Sequence, residues 1–260
     1  MSKTATGTRI VITGASSGLG AALALRYAAA GVTLGLVGRN RARLELVAEQ
    51  CGRAGADVEP AIIDVADRDE LGGWLAAFSA TPIDLVIANA GISGGPPAGS
   101  MTEGLELASR QVRTNLLGVM NTIEPVLPDF IARGRGRIAI VASVAGYRGL
   151  PYSPAYSASK AGARMYGESL RALLRPAGIA VTVICPGFFS SPMTDRFKGG
   201  TPFLVTLERA ATIVKRGIDS GRSRVSFPLP LVLALKLADL APPFVGDAIM
   251  RANRFHIEAP

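Results

Sequence analysis

Tyr156 and Lys160 stand four residues apart within a helix read over residues 155–174, and positions at that spacing are neighbours on a helix surface. A phenol beside an ammonium can give a proton to an oxygen and take it back, because the nearby positive charge favours phenolate and lowers the tyrosine pKa. Ser143 follows a strand read over residues 137–142 and can hold the same oxygen by a hydrogen bond. Asn115 lies inside a helical stretch over residues 105–130, where asparagine is a poor helix former. It can bind water and continue a proton path from Lys160 to solvent. Taken alone, the Tyr–Lys pair reads as an amphipathic surface pair; Ser143, Asn115 and a glycine turn near the start of the chain favour the chemical reading. Two hydroxyls can stabilise charge developing on oxygen without a metal. A metal site is not expected, since His256 is the one histidine and Cys51 and Cys185 are the two cysteines, read as reduced thiols.

These residues need a scaffold that brings distant segments together. Short apolar runs at residues 9–12, 32–37, 58–63, 85–88, 137–142, 179–184 and 224–227 alternate with helical stretches at 18–30, 41–51, 105–130, 155–174 and 207–219, and with one that Asp67 caps and that carries Leu71, Trp74 and Leu75. Strands that alternate with helices and lack period-two polarity belong to a parallel sheet covered on both faces. The expected fold is α/β: a Rossmann-type, doubly wound, mainly parallel seven-stranded sheet with helices on both faces. Residues 1–260 read as one domain, with a polar opening run at 2–8 and an apolar helical extension over about 228–250. In that tail Pro242-Pro243 should end the helical portion. The extension is read as completing the core or closing a pocket, with oligomer contact and peripheral membrane docking as alternatives.

The first strand ends in Thr13-Gly14-Ala15-Ser16-Ser17-Gly18-Leu19-Gly20. Gly14 permits a tight turn, Gly18 and Gly20 let backbone and helix approach, and the helix N-terminus suits a dinucleotide pyrophosphate. A carboxylate at the end of the second strand would suit the ribose of NAD; here Gly38-Arg39-Asn40-Arg41 stands instead. Arg39 can pair with a 2′-phosphate, so NADP(H) is expected ahead of NAD(H), which stays as the second cofactor; the plainer reading of Arg39 is a surface arginine at a helix start. Asp64 and Val65 follow the third strand, toward the adenine edge, and Asn89-Ala90-Gly91 forms a narrow turn after the fourth. Lys160 is also placed to contact the nicotinamide ribose hydroxyls.

Those motifs together resemble a classical short-chain dehydrogenase/reductase across residues 7–227: the glycine pattern over Thr13 to Gly20, and the Asn, Ser, Tyr and Lys set at Asn115, Ser143, Tyr156 and Lys160. The resemblance implies a nicotinamide-dependent oxidoreductase acting between a carbonyl and a secondary alcohol. It further implies cofactor contacts from Pro186-Gly187, beside the carboxamide, and from Ser191 where a threonine is usual; Phe189 is placed with them. Ala88-Asn89 departs from the commonly paired asparagines but keeps the turn. The resemblance also implies a homodimer or homotetramer built on the helices bearing Asn115 and Tyr156.

The substrate surface is expected from residues 93–97, 145–152 and 188–203, beginning at Ser93. Phe188, Phe189, Met193, Phe197 and Phe203 would form an apolar lid, Gly199-Gly200 reads either as its hinge or as a passive surface turn, and Tyr147, Leu150 and Tyr152 offer a second wall. This favours a fairly hydrophobic small-molecule carbonyl or alcohol; a 3-oxoacyl thioester reductase and a nonenzymatic cofactor-sensing binding protein are the alternatives. The net charge of +8 is spread along the chain rather than blocked, so nucleic acid is not an expected partner. With no apolar leader and no run of about 18 apolar residues, a cytoplasmic location is expected.

Overall fold

The computed structural model describes residues 7–97, 99–252 and 255–257; residues 2–6 of the polar opening run lie outside them. Seven parallel strands form the sheet: β1 (Thr8–Thr13), β2 (Val32–Val37), β3 (Asp57–Ala61), β4 (Leu85–Ala88), β5 (Gly136–Val141), β6 (Ile179–Pro186) and one further strand at Arg224–Phe227. In space they run β3-β2-β1-β4-β5-β6 and then Arg224–Phe227. The order reverses between β1 and β4, which is where a doubly wound sheet opens a crevice at its carboxyl edge.

The strands bury both faces, which is why no alternating polarity was visible. Ile10 and Ile12 join one core with Leu19 and Leu23 of α1 (Gly18–Tyr27), Leu44 of α2 (Arg41–Arg53) and Val214. Val11 joins the other, with Leu71 and Leu75 of α3 (Arg68–Phe78). Asp67 caps α3, its side chain accepting from the Glu70 amide at 3.0 Å. β3 is the exposed edge strand, which accounts for its tolerating Pro60.

Four expectations are corrected. The first helix ends at Tyr27 rather than running to residue 30: Ala28 leaves the helical region with ψ 119°, and the chain then turns through Gly31, whose φ is +77°. The long helix over 105–130 is instead α4 (Leu105–Val112), a π turn (Arg113–Leu117), α5 (Gly118–Ile123), a 3₁₀ turn (Glu124–Val126) and α6 (Leu127–Arg133). Pro125 removes an amide at the 3₁₀ turn, and the π turn holds Asn115. After α7 (Pro154–Leu174), α8 (Pro192–Asp195) leads to β7 (Phe197–Gly199), so Gly199 is in a strand rather than a hinge. After α9 (Leu207–Asp219), the strand Arg224–Phe227 is β8; it leads to α10 (Leu229–Leu240) and α11 (Pro243–Ala252). Pro243 therefore starts a helix, where its missing amide is harmless. β9 (Phe255–Ile257) then pairs antiparallel with β7 in a second, two-stranded sheet.

Candidate active site

One cleft of about 1420 Å³ runs along the carboxyl edge of the sheet, more than the few hundred to 1,000 Å³ typical of a pocket for one small ligand. Its two ends are built differently. At the first, β1 and β4 are pinned together by Thr13, whose Oγ1 accepts from the amides of Asn89 (3.1 Å) and Ala90 (3.2 Å). Asn89 returns the contact, its Nδ2 donating to Thr13 O at 2.9 Å. Gly14 has φ +67°, and a Cβ there would lie 2.7 Å from Ala90 Cα; one at Gly20 would lie 2.2 Å from Gly14 O. Only glycine lets strand, turn and helix meet this closely.

The residues at this end fit a dinucleotide. The N-cap of α1, Ser17, makes no side-chain capping bond, and the first turn carries no acid, so its amides and positive dipole end suit an anion. Ser16 packs against Gly38, where a Cβ would come within 3.2 Å of it. Gly18, Leu19, Val65, Ala90, Pro186, Gly187, Phe189 and Ser191 all line the cleft, while Gly20 and Asn115 stand behind its wall. Arg39 and Asp64, expected at separate parts of the nucleotide, hold each other: Nη1 donates to Asp64 Oδ2 at 3.2 Å.

Where the two ends meet, Ser143 Oγ accepts from the Ala145 amide at 3.1 Å and donates to Pro186 O at 3.5 Å. Lys160 is buried, donates to Val141 O at 2.9 Å, and lies 6.0 Å from the Tyr156 ring centre. The expected lowering of the Tyr156 pKa is not what the chain's own groups produce. Burial pushes it up, against a smaller lowering by the Ser143 hydrogen bond. Burial also brings Lys160 down to about 8. Asn115 uses its side chain to fix the 91–92 turn: Oδ1 accepts from the Ile92 amide (2.8 Å), and Nδ2 donates to Ile92 O (2.9 Å) and Ser159 Oγ (3.0 Å). Gly91 threads the gap, since a Cβ there would sit 3.2 Å from Lys160 Nζ and 3.3 Å from Asn115 Oδ1. Among the described residues no group of three metal-ligating side chains is assembled.

A scan against family models matches the short chain dehydrogenase family over residues 8–200. An uncharacterised oxidoreductase of Myxococcus xanthus is 38% identical over 94% of this chain and 96% of its own length. The chain belongs to the short-chain dehydrogenase family. It is an NAD(P)(H)-dependent oxidoreductase acting on carbonyl or alcohol substrates. The ketoacyl reductase HetN of a Nostoc species is 35% identical over 86% of this chain and 78% of its own length. A short-chain dehydrogenase from Sphingobium yanoikuyae, solved in complex with NADPH, superposes with a TM-score of 0.78 at 25% identity, covering 95% of this chain and 96% of that one.

The apolar walls of the cleft in this short-chain dehydrogenase differ from those expected for a substrate. Phe188, Met193, Phe197, Phe203 and Leu150 line the cleft, as does Ser93. Tyr147 and Tyr152 do not: Tyr147 turns its hydroxyl to Ser226 Oγ at 2.8 Å, and Tyr152 reaches Arg251 O at 3.4 Å. Leu231, Leu235, Ile249, Met250 and Ile257 take their place, from the C-terminal segment. The leucines of the tail were the available signal for that contribution. Thr13 opens the glycine pattern, but its clamp was missed because the amides it binds, those of Asn89 and Ala90, lie 76 and 77 residues further along the chain. Arg43 and Thr114 also line the cleft unanticipated.

Proposed function

We propose that this enzyme reduces a neutral, hydrophobic ketone with NADPH in preference to NADH, using Tyr156 as proton donor. The observation that carries the reading is one cleft with Tyr156, Ser143 and Lys160 at its centre, Arg39 and Arg43 at one end and apolar side chains at the other. Bound along the glycine turn, the nicotinamide nucleotide supplies the hydride in reduction and accepts it in oxidation. Ser143 Oγ holds the substrate oxygen. Tyr156 Oη gives that oxygen its proton, and in the reverse direction takes the alcohol proton. Lys160, fixed by Val141 O, stabilises the phenolate so produced and contacts the ribose hydroxyls. Asn115, with one lone pair of Oδ1 beyond its Ile92 contact, continues the proton path through water. Gly14, Ser16, Ser17, Gly18, Leu19 and Gly20 form the pyrophosphate turn, and Asp64, Asn89, Gly91, Pro186, Gly187, Phe189 and Ser191 complete the nucleotide site.

A 3-oxoacyl thioester is the second substrate reading, favoured by the likeness to a ketoacyl reductase. Both are tested by following NADPH absorbance with a panel of aryl and alkyl ketones and a 3-oxoacyl thioester. Substrate-dependent NADPH loss is expected with the hydrophobic ketones; loss with the thioester alone would replace the first reading by the second.

Residues 1–260 are taken to act as one domain in the cytoplasm, as a homodimer or homotetramer. Exposed Leu117 beside the Asn115 turn, and exposed Met165 and Leu173 on the Tyr156 helix, support that association. Contact with a membrane surface through 228–250 is supported by exposed Leu229, Leu233, Leu237, Leu240 and Phe244. No helix among the described residues is long and apolar enough to cross a membrane.

A further inference from the structure

The C-terminal segment spans both walls of the substrate end. β9 pairs with β7 of the 188–203 segment, while α10 and α11 lie over Val144 and over Leu150 of the 145–152 segment that follows it. Leu231, Leu235, Ile249 and Met250 of these helices line the cleft, so the height at which the helices sit sets how large a substrate fits. Apolar contacts hold the roof on, but they are non-directional and tolerate sliding. Directional ties are the β7–β9 ladder, the Tyr152 hydroxyl bond to Arg251 O of α11, and Arg148, which reaches both helices.

Arg148 lies in the 145–152 segment, with a side chain only 14% exposed. Its Nη1 donates to Ala238 O at 3.2 Å, near the C-terminus of α10, and lies 3.6 Å from Asp239 Oδ1. Its Nη2 donates to Asp247 Oδ1 of α11 at 3.0 Å. A cation at the last turn of α10 meets the negative end of the helix dipole. The planar fork lets one side chain hold two helices at a fixed spacing, which a lysine could not do. Room for the guanidinium comes from Gly246, where a Cβ would sit 2.5 Å from Nη2 and 2.8 Å from Cζ. The two carboxylates are mostly exposed, so the pairs fix geometry more than they add stability.

We propose that Arg148 is a specificity-determining positioning residue: by pinning α10 and α11 to the 145–152 segment it sets the upper size limit of the substrate. This rests on the reading of the cleft as the carbonyl site. Releasing the pin lets Leu235 and Met250 lift from the cleft, so a small ketone loses packing and a bulky one gains room.

The test compares wild type, Arg148→Met and Gly246→Ala. The second variant displaces the guanidinium without removing its charge and serves if the first fails to fold. NADPH-dependent reduction is measured with cyclohexanone and with a diaryl ketone, alongside hydrogen exchange of residues 229–252. We expect KM for cyclohexanone to rise about tenfold with kcat little changed, and the diaryl-to-cyclohexanone ratio of kcat/KM to rise by a similar factor. Exchange should quicken in α10 and α11 and stay unchanged in β1 and α1. An unchanged ratio, equal losses of kcat for both ketones, or unchanged exchange would overturn the proposal. If wild type reduces no carbonyl in a broad panel, the substrate reading fails, and the exchange result alone decides whether Arg148 pins the roof.

Discussion

The two ends of the cleft hold their shape by different means. The end proposed for the nucleotide is a set of close backbone approaches, Gly14 against Ala90 and Gly20 against Gly14 O, and Gly91 at the junction fits between the side chains of Lys160 and Asn115. Each fixes a position that any added carbon would disturb. The substrate end is walled by apolar side chains from three separated segments, one of them the C-terminal tail. Backbone complementarity admits one ligand shape and forbids substitution. Side-chain walls admit many shapes, because an aliphatic residue can be exchanged for another of similar volume at small cost. In the function proposed above, the chain pairs a rigid half for a common cofactor with an adjustable half for its substrate, and mutations should divide along the same line.

The largest effect is expected where the halves meet. Tyr156→Phe removes one oxygen at the junction and should lower carbonyl turnover by about 10³-fold or more while leaving nucleotide affinity within about threefold. Steady-state rates and nucleotide titration check this together. Undiminished turnover would mean that another group supplies the proton. The wild-type pH profile sharpens the point: with its pKa raised by burial, Tyr156 stays protonated through neutral and mildly alkaline pH. Alcohol oxidation, which needs the phenolate, should climb with pH over a range where ketone reduction does not.

Next in size is Gly20→Ala. Its methyl has no free direction to move, since it meets the carbonyl of Gly14 in the turn itself. Overpacking of this kind costs about 1–3 kcal/mol, read as a lower Tm, and nucleotide affinity should fall at least tenfold as the turn opens. Leu235→Val, at the other end, should leave nucleotide affinity unchanged and alter only the ranking of ketones. Equal effects on nucleotide binding would erase the distinction between the halves.

The same division explains what could be read from the sequence. The proposed nucleotide end is assembled from residues next to strand ends, so Gly14, Asp64 and Asn89 could be read by counting along the chain and Pro186 from the family resemblance, and all four line the cleft. The parallel sheet followed from the alternation of elements, as did the burial of both its faces, whereas the strand order came from the structure. The substrate end depends on contacts between segments far apart. Arg148 and its partner Asp247 are 99 residues apart, and no local pattern announces such a pairing. Tyr147 and Tyr152 were placed in the wall by composition alone, yet hydrogen bonds to Ser226 and Arg251 turn them away. The π turn at Asn115 was also hidden, and the side-chain bonds made from it run to the Ile92 backbone 23 residues away.

A smaller effect separates the role of Lys160 in chemistry from its role in folding. Its pKa of about 8, against an ordinary 10.5, means that burial penalises the ammonium. That penalty is full below pH 8, shrinks as the native state deprotonates between pH 8 and 10.5, and vanishes above. Lys160→Met should therefore be more stable than wild type at pH 7 by about 2 kcal/mol, after allowing for the bond lost at Val141 O. Wild type should regain the difference as pH rises through that window. Denaturant melts at pH 7 and pH 10 measure it, and a variant less stable than wild type at pH 7 would show that Val141 O fully compensates the buried charge.

The smallest effect concerns Arg39, whose side chain is 55% exposed and already paired with Asp64. A 2′-phosphate has to compete with that carboxylate, so the gain from Arg39 is reduced both by solvent and by the bond it gives up. Arg39→Leu should raise the Kd for NADPH about tenfold and leave NADH nearly unchanged, consistent with one exposed charge-assisted contact. Asp64→Asn acts in the opposite sense: it frees the guanidinium and removes a negative charge beside the incoming phosphate, so NADPH should bind about threefold tighter at low salt, with the advantage shrinking as ionic strength rises. In the double variant the benefit of Asp64→Asn should disappear, because no guanidinium is left to free. If Asp64→Asn still tightens NADPH without Arg39, the carboxylate repels the phosphate directly, and Arg39 belongs to the surface rather than to the nucleotide site.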